Sequence, residues 1–265
     1  MLLLALAAAG VFAGFIGGLF GVGGGIVLVP VLYQVWGVLG APDEYRMHLA
    51  VGSSLSTIVA TSWRSLSAHA KKGAVDFALL RAWAPWLALG AAAGSAVAGF
   101  VDARVLLVVF GAALIPVALN LAFNAKGRPL FAALPTGFGG ALVAASNGFL
   151  SAMMGVGGGT IGVPIMTLCG RPIHQAVATA SGFGAAIAIP ATIGFAISGW
   201  GRAGLPPLSL GFVNLPAFAI VALLTTFAAP YGARTAHRLD RVALSRAFAV
   251  FLAITSLLML REAIR

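Results

Sequence analysis

The sequence has 265 residues, of which 60% are hydrophobic and only 8% are charged, and its mean hydropathy is +1.03. Soluble domains carry roughly 25% charged residues, so this composition excludes a soluble globular protein and indicates an integral membrane protein. The net charge of +10 comes mostly from Lys and Arg in short connections between apolar runs, where it reports membrane orientation rather than nucleic-acid binding. The lipid bilayer is the expected surrounding, and nucleic acid is not an expected partner.

The first residues, MLLLALAAAG, lack the basic start of a signal peptide and continue into further apolar sequence. We therefore expect a retained membrane span there rather than a cleaved leader. Apolar runs of about 20 residues, long enough to cross a hydrocarbon core of roughly 30 Å, recur from end to end. The sequence predicts an all-α polytopic protein with a single membrane domain over residues 1–265.

One stretch near the start of the chain returns in its second half. GFIGGLFGVGGGIVLVPVL (14–32) aligns without a gap with GFLSAMMGVGGGTIGVPIM (148–166), and nine of nineteen positions are identical, including GVGGG and the proline five residues after it. The parallel continues with HLAVGSS (48–54) and HQAVATA (174–180). These correspondences indicate a duplication.

We define the two halves as repeat 1 (1–124) and repeat 2 (131–265), and each contains five apolar segments. In chain order the segments are 2–20, 25–39, 48–68, 77–100, 104–123, 131–153, 158–169, 174–199, 207–231 and 242–260. The second segment of each repeat is short. If the short segments cross the membrane, each repeat has an odd number of crossings and the repeats are inverted; if they do not cross, the repeats are parallel.

The distribution of Lys and Arg distinguishes these two topologies, because cytoplasmic loops collect basic residues. Five crossings per repeat divide the sixteen basic residues eleven to five, whereas four crossings divide them nine to seven. The sequence therefore favours inverted repeats with both termini outside. The eleven residues predicted on the cytoplasmic side are Arg64, Lys71, Lys72, Arg81, Lys126, Arg128, Arg171, Arg234, Arg238, Arg241 and Arg246.

The repeated GVGGG is a poor helix interior, because each glycine costs about 0.8–1 kcal/mol relative to alanine and permits positive φ. We expect the helix to break there in both repeats. Broken backbone at membrane depth must face protein or water, and a helix that starts there directs N–H groups and its positive dipole end into a cavity, which favours anions. Two such starts would meet near mid-membrane. The glycines of the two motifs are Gly21, Gly23, Gly24, Gly25, Gly155, Gly157, Gly158 and Gly159.

Several side chains are candidates to complete this site. The hydroxyls of Ser53, Ser54 and Thr179 could contact the anion, or they could bond to helix carbonyls and bridge helices. Asn147 precedes the second motif and either lines the same cavity or makes an ordinary interhelical hydrogen bond. For the glycines themselves, the alternative is that they only allow close helix packing.

His48 and His174 occupy equivalent places before their apolar segments, where they could couple a proton to transport or cap helix ends at the membrane interface. No Asp or Glu falls in the middle of a predicted span, so carboxylate cation sites are unsupported. The sequence contains no HExxH, CxxC, GxSxG or Walker pattern. We therefore predict neither an enzyme nor a metal or cofactor site.

The paired glycine motifs, followed by HLAVGSSL and HQAVATAS, resemble the sulfite exporter TauE/SafE family, also called the TSUP family, over essentially the whole chain. The resemblance implies a multi-pass transporter of the bacterial inner membrane for sulfite, sulfonates or related organosulfur anions. It assigns substrate binding to the glycines above and to Ser53, Ser54 and Thr179. Ala180 stands where repeat 1 has Ser54, so the two half-sites are expected to differ. A secondary transporter with alternating access is the favoured function; an anion channel and a non-transporting membrane subunit are the alternatives.

Overall fold

The computed structural model describes residues 2–20, 24–124, 129–236 and 240–265. These residues form ten α-helices and one short β-hairpin. The helices are α1 (Leu2–Phe20), α2 (Gly25–Val38), α3 (Asp43–Lys71), α4 (Phe77–Ala98), α5 (Ala103–Phe123), α6 (Gly137–Met154), α7 (Gly159–Leu168), α8 (Ile173–Ser198), α9 (Leu215–Ala236) and α10 (Arg241–Ile264). The hairpin pairs β1 (Ser209–Leu210) with β2 (Val213–Asn214) in antiparallel register, with Ser209 opposite Asn214.

Six of the described helices are long and apolar enough to cross a membrane: α4, α5, α6, α8, α9 and α10. Large apolar side chains on the outside of the bundle, such as Phe100 and Phe123, are almost fully exposed, as expected of surfaces that face lipid rather than water. The chain is therefore a multi-pass membrane protein, and the prediction of an all-α polytopic fold is confirmed.

The short second segment of each repeat forms a short helix. α2 has 14 residues and α7 has 10, so at 1.5 Å per residue they extend about 21 and 15 Å. Both are shorter than a hydrocarbon core of roughly 30 Å. Neither helix is long enough to span a bilayer alone.

The helices of the two repeats are interleaved. α1 packs along α9, α4 along α6, and α5 along α10, so each of these pairs combines one helix from each repeat. α3 and α8 pack against each other, α2 lies on α3, and α7 lies on α8. Gly184 of α8 faces Ser62 in the second half of α3, whereas Phe195 near the end of α8 faces Gly52 in its first half. α3 and α8 are therefore antiparallel.

The core follows α3 and α8. α3 is buried almost continuously from Met47 to Ile58, and α8 has buried positions from Ala176 to Phe195. Asp43 and Glu44 lie in the first turn of α3 and Lys71 in its last, which suits the helix dipole at both ends. The long α3, with charged residues at both ends, thus passes through the protein beside α2 and α8.

Candidate functional site

Both GVGGG motifs interrupt the helical chain, as predicted. α1 ends at Phe20 and α2 begins at Gly25, while α6 ends at Met154 and α7 begins at Gly159. Gly24 has φ +79° and Gly155 has φ +71°, a conformation that side chains of L residues disfavour. Among the other predicted glycines, Gly21 and Gly23 lie outside the described residues.

The two breaks lie against each other. A Cβ added to Gly25 would lie 3.0 Å from the Cα of Val156 and 3.2 Å from the carbonyl oxygen of Gly155. Ser54 Oγ donates a hydrogen bond to that same oxygen at 2.7 Å. The backbone of the first break thus reaches that of the second without room for a side chain.

Ile58, halfway along α3, lies beside both breaks. Its Cδ1 would be 3.1 Å from a Cβ on Gly25, and its Cγ2 would be 3.5 Å from a Cβ on Gly157. Ile58 is also a wall residue of a cavity of about 590 Å³ that lies next to the breaks. This volume is within the roughly 300–1,000 Å³ of small-molecule sites.

Glycines and hydroxyls line much of this cavity. Gly24, Gly157 and Gly159 of the motifs belong to its wall. The hydroxyl-bearing wall residues are Thr61, Ser62, Ser65, Thr160, Ser181, Thr225 and Thr226. Three of them follow α3 at helical spacing, so they share one face of that helix.

The charge of the wall has one sign. Arg64 and His69 of α3 line the cavity, and its wall contains no Asp or Glu among the described residues. Opposite walls from α5 and α10 are apolar, with Val117, Leu121 and Phe248. Low-dielectric walls strengthen the field of a nearby cation such as Arg64.

Thr160, the second residue of α7, has a buried wall hydroxyl that lacks a hydrogen-bond partner among the described residues. The residue is 2% exposed. Its N–H donates to the Gly157 carbonyl at 3.2 Å, and the N–H of Gly162 donates to the Gly158 carbonyl at 2.8 Å. The first-turn amides before them have no intrahelical acceptor, so this helix start can donate several hydrogen bonds to a bound acceptor.

The remaining predicted glycines pack inside the protein instead of lining the cavity. A Cβ on Gly158 would lie 2.7 Å from the Cβ of Phe183, and one on Gly155 would lie 2.8 Å from the Cα of Val51. For Gly25, Gly155 and Gly158 the close approach of neighbouring atoms is itself a sufficient reason for glycine.

Ser53 and Thr179 contact helix starts of the opposite repeat. Ser53 Oγ accepts the backbone N–H of Asn214 at 3.1 Å, and Thr179 Oγ1 accepts the backbone N–H of Asp76 at 3.0 Å. Asp76 and Asn214 precede α4 and α9, and the side chain of each accepts an N–H from the first turn, of Leu79 and Ala217 respectively. Ser53, Ser54 and Thr179 are not wall residues of the cavity.

Asn147 lies behind the second break rather than in the cavity wall. Its Nδ2 donates to the Gly158 carbonyl at 3.5 Å, and its Oδ1 accepts the hydroxyl of Ser151 at 3.0 Å. Its side chain therefore links α6 to the turn that begins α7.

The two histidines have different surroundings. His48 is 4% exposed, and its Nε2 lies 3.0 Å from the Ala98 carbonyl oxygen and 3.1 Å from that of Val101. Two carbonyl acceptors assign the proton to this nitrogen. His174 is exposed at the start of α8, and neither histidine is a wall residue of the cavity.

Residues 6–259 match the family model described as "Sulfite exporter TauE/SafE". The chain belongs to the TauE/SafE family. This TauE/SafE chain is similar to a probable membrane transporter protein of Haemophilus influenzae, at 31% identity over 94% of both chains. A probable membrane transporter protein of Methanocaldococcus jannaschii is 28% identical over 98% of this chain and 96% of its own. No solved structure matches the chain.

Membership of this transporter family agrees with the prediction of a membrane transporter rather than an enzyme. In this TauE/SafE chain the hydroxyls of Thr61, Ser62, Ser65 and Thr160 are wall groups that were not predicted from the sequence. Two signals point to them: hydroxyls at helical spacing late in the third apolar segment, and a Thr in GVGGGT where repeat 1 has Ile26.

Proposed function

We propose that this TauE/SafE protein is a secondary transporter that binds a small sulfur-containing anion, such as sulfite or a sulfonate, in the cavity beside the start of α7. The observation that carries the proposal is the hydroxyl of Thr160 at a helix start, which has no partner among the described residues, in a wall whose described residues include Arg64 and no carboxylate. A helix N-terminus has the equivalent of about half a positive charge. Sulfite and sulfonate groups present several acceptor oxygens to such donors.

The two half-sites of this proposal are unequal. Thr160 of α7 is matched by Ile26 of α2, which has no hydroxyl. The helix starts also differ, because Gly24 before α2 has φ +79° whereas Gly158 before α7 has φ −58°. The anion is therefore held mainly by α7, with Gly24 on the facing wall.

Inverted repeats over 1–124 and 131–265, within one membrane domain, belong to the same proposal. Two aspects of the packing support them. The equivalent helices α3 and α8 are antiparallel. The packing of α1 on α9 also has its counterpart in the packing of α6 on α4, which are the equivalent helices of the other repeat. Repeats related by an axis in the membrane plane have these properties, and transporters built from them bind substrate at the repeat interface.

Alternating access needs an energy source, which here is an ion gradient or the gradient of the substrate itself. Proton coupling through His48 and His174 acts at a distance, since both lie outside the cavity wall. We expect alanine variants of a coupling histidine to lose the pH dependence of uptake in proteoliposomes. Unchanged uptake rate and pH dependence in both variants would remove the histidines from the mechanism.

Anion-induced thermal stabilisation of the purified protein tests the binding site. The panel is sulfite, thiosulfate, sulfate and methanesulfonate, and a ligand at 100 times its Kd adds about 2.7 kcal/mol. Thr160→Val removes the hydroxyl with little change of shape. Thr192→Val is the matched control, because the Oγ1 of Thr192 is also buried without a partner among the described residues, but Thr192 is not in the cavity wall.

We expect one anion of the panel to raise the melting temperature of the wild type and of Thr192→Val, and to leave that of Thr160→Val nearly unchanged. An equal response of all three proteins would place the bound anion elsewhere. Absence of a response to every anion would contradict the proposed substrate class.

A further inference from the structure

The β-hairpin lies at the end of α3 opposite to the end that lines the cavity. The cavity residues of α3 run from Ile58 to His69, whereas the hairpin residue Phe212 contacts Tyr45 and His48 in the first turns. The hairpin and the cavity therefore lie at opposite ends of α3. At the hairpin end, the hairpin fills the contact between α3 and α8, which we call the seam. The other end has the cavity.

Phe212 fills the seam between α3 and α8. The residue is 2% exposed, and its ring centroid lies 4.8 Å from that of His48 and 5.5 Å from that of Tyr45. Its backbone N–H donates to the carbonyl of Phe195 in α8 at 3.1 Å. Phe212 therefore contacts α3 and α8, the two central helices, at once.

Two glycines allow the hairpin to enter the seam. A Cβ on Gly52 of α3 would lie 2.5 Å from the carbonyl oxygen of Phe212, and a Cβ on Gly199 after α8 would overlap its backbone nitrogen. Leu208, just before β1, has φ +60° and is the one residue other than glycine with positive φ among the described residues. This conformation is disfavoured for a leucine, so the hairpin is held in place by its contacts.

The described residues of repeat 1 contain no counterpart of this hairpin. Residues 72–76 join α3 to α4, whereas residues 199–214 join α8 to α9. At the end of each connection, Asp76 and Asn214 cap the next helix in the same way. The hairpin is an addition to one face of a repeated framework, and that face is the one without the cavity.

We propose that Phe212 is the gating residue of this end of the transport pathway, and that the hairpin closes the seam between α3 and α8 while the cavity is open at the opposite end. This inference rests on the proposed transport function, because only a transporter needs a second opening. Withdrawal of Phe212 separates the first half of α3 from the end of α8. The N–H of Asn214 is hydrogen-bonded to Ser53, and Asn214 directly precedes α9 and caps it, so movement of the hairpin displaces the start of α9 as well.

The test measures access to a single thiol near the breaks. Cys169 is the one cysteine of the sequence, and Cys169→Ser gives a cysteine-free background. Gly159→Cys places a thiol in the cavity wall, where an added Cβ would have no neighbour closer than 3.7 Å. A membrane-impermeant maleimide is applied to sealed vesicles of both orientations, and the labelling rate is measured from each face.

In this background we expect rapid labelling from one face only. Adding Phe212→Ala weakens the closed seam, and we expect labelling from the second face to rise about tenfold, as the population open to that face rises. The matched control is Leu210→Ala, because Leu210 belongs to the same hairpin but is 44% exposed. It should leave both rates unchanged.

Two further variants keep the test decisive. Phe212→Leu keeps part of the apolar volume and should give a smaller rise. Gly52→Ala pushes against the Phe212 carbonyl and should act like Phe212→Ala. Labelling that stays confined to one face in all the folded variants would overturn the proposal. Because the readout needs no anion, it remains informative if the proposed substrate or transport activity proves wrong.

Discussion

Thr179 Oγ1 accepts the backbone N–H of Asp76 at 3.0 Å, which joins the centre of one repeat to the start of a helix in the other. The reciprocal contact is between Ser53 and Asn214 at 3.1 Å. Each central helix thus fixes the first turn of a long helix, α4 or α9, that packs along a glycine-broken helix, α6 or α1. These paired contacts connect the two repeats at opposite ends of the α3–α8 pair.

Removing the Ser53 hydroxyl should affect stability rather than anion binding. Ser53→Ala leaves the buried N–H of Asn214 without its acceptor, which costs about 1–3 kcal/mol. Ser56→Ala is the control, because that hydroxyl donates to a carbonyl of its own helix at 2.8 Å. Melting curves and anion binding are measured together. A Ser53→Ala protein with normal melting and lost anion binding would make Ser53 a substrate ligand, as the sequence predicts.

Asp76 should tolerate asparagine better than alanine. Asp76 Oδ1 accepts the N–H of Leu79 at 3.0 Å, and Oδ2 lies 3.3 Å from a guanidinium nitrogen of Arg171. Asp76→Asn keeps the helix cap and loses a partly exposed ion pair worth up to about 1 kcal/mol. Asp76→Ala also loses the cap, at about 0.5–2 kcal/mol more. Equal destabilisation in thermal unfolding would show that the ion pair, and not the cap, stabilises this end of α4.

Neighbouring glycines of the second motif should respond differently to alanine. A methyl group on Gly157 would have no neighbour closer than 3.5 Å, so Gly157→Ala should fold normally and weaken anion binding by occupying the cavity. Gly158→Ala should melt earlier, because its Cβ would lie 2.7 Å from that of Phe183 and overpacking costs about 1–3 kcal/mol.

Gly139→Ala, at a position whose nearest neighbour would be 3.6 Å away, is the control for both variants. It should melt at or above the wild-type temperature, because alanine favours the helix. Unaltered anion binding by Gly157→Ala would show that the anion does not bind in this cavity.

Arg64 should increase the rate at which anions reach the cavity. Arg64→Gln removes the positive charge of this wall residue, so initial uptake should fall at low ionic strength and the difference should shrink as salt screens the field. Arg81→Gln is the control, because Arg81 is predicted on the same side but is not a wall residue. Arg64→Lys should retain most of the activity. Equal salt dependence of the wild type and Arg64→Gln would exclude this electrostatic role.

Local properties of the sequence predicted most of the fold. Runs of apolar residues predicted the spans, and the low helix propensity of the glycine motifs predicted the two breaks. Both are properties of a single segment and do not depend on tertiary contacts. Helix starts were less accurate: the segment 131–153 becomes helical only at Gly137, and 48–68 is extended to begin at Asp43 after Pro42. The hairpin was not predicted, because two-residue strands form through the tertiary contacts of Phe212.

The site was only partly predictable, because residue type does not tell which way a helix face points. Ser53 and Thr179 were selected as equivalent hydroxyls, yet both contact helix starts of the other repeat. The wall hydroxyls Thr61 and Ser65 lie further along α3, on a face that only the packing of α8 and the breaks defines. Thr160 was visible in the sequence as a departure from Ile26, but its unpartnered hydroxyl required the structure.

Counterflow in proteoliposomes distinguishes a carrier that binds its anion at the start of α7 from a channel. Vesicles loaded with unlabelled anion, chosen by the stabilisation panel, are diluted into a trace of the labelled anion. We expect label to accumulate transiently above equilibrium in the wild type and in Thr192→Val, and we expect no such accumulation in Thr160→Val. Label that only equilibrates would indicate a channel, and accumulation that persists in Thr160→Val would contradict binding at the start of α7.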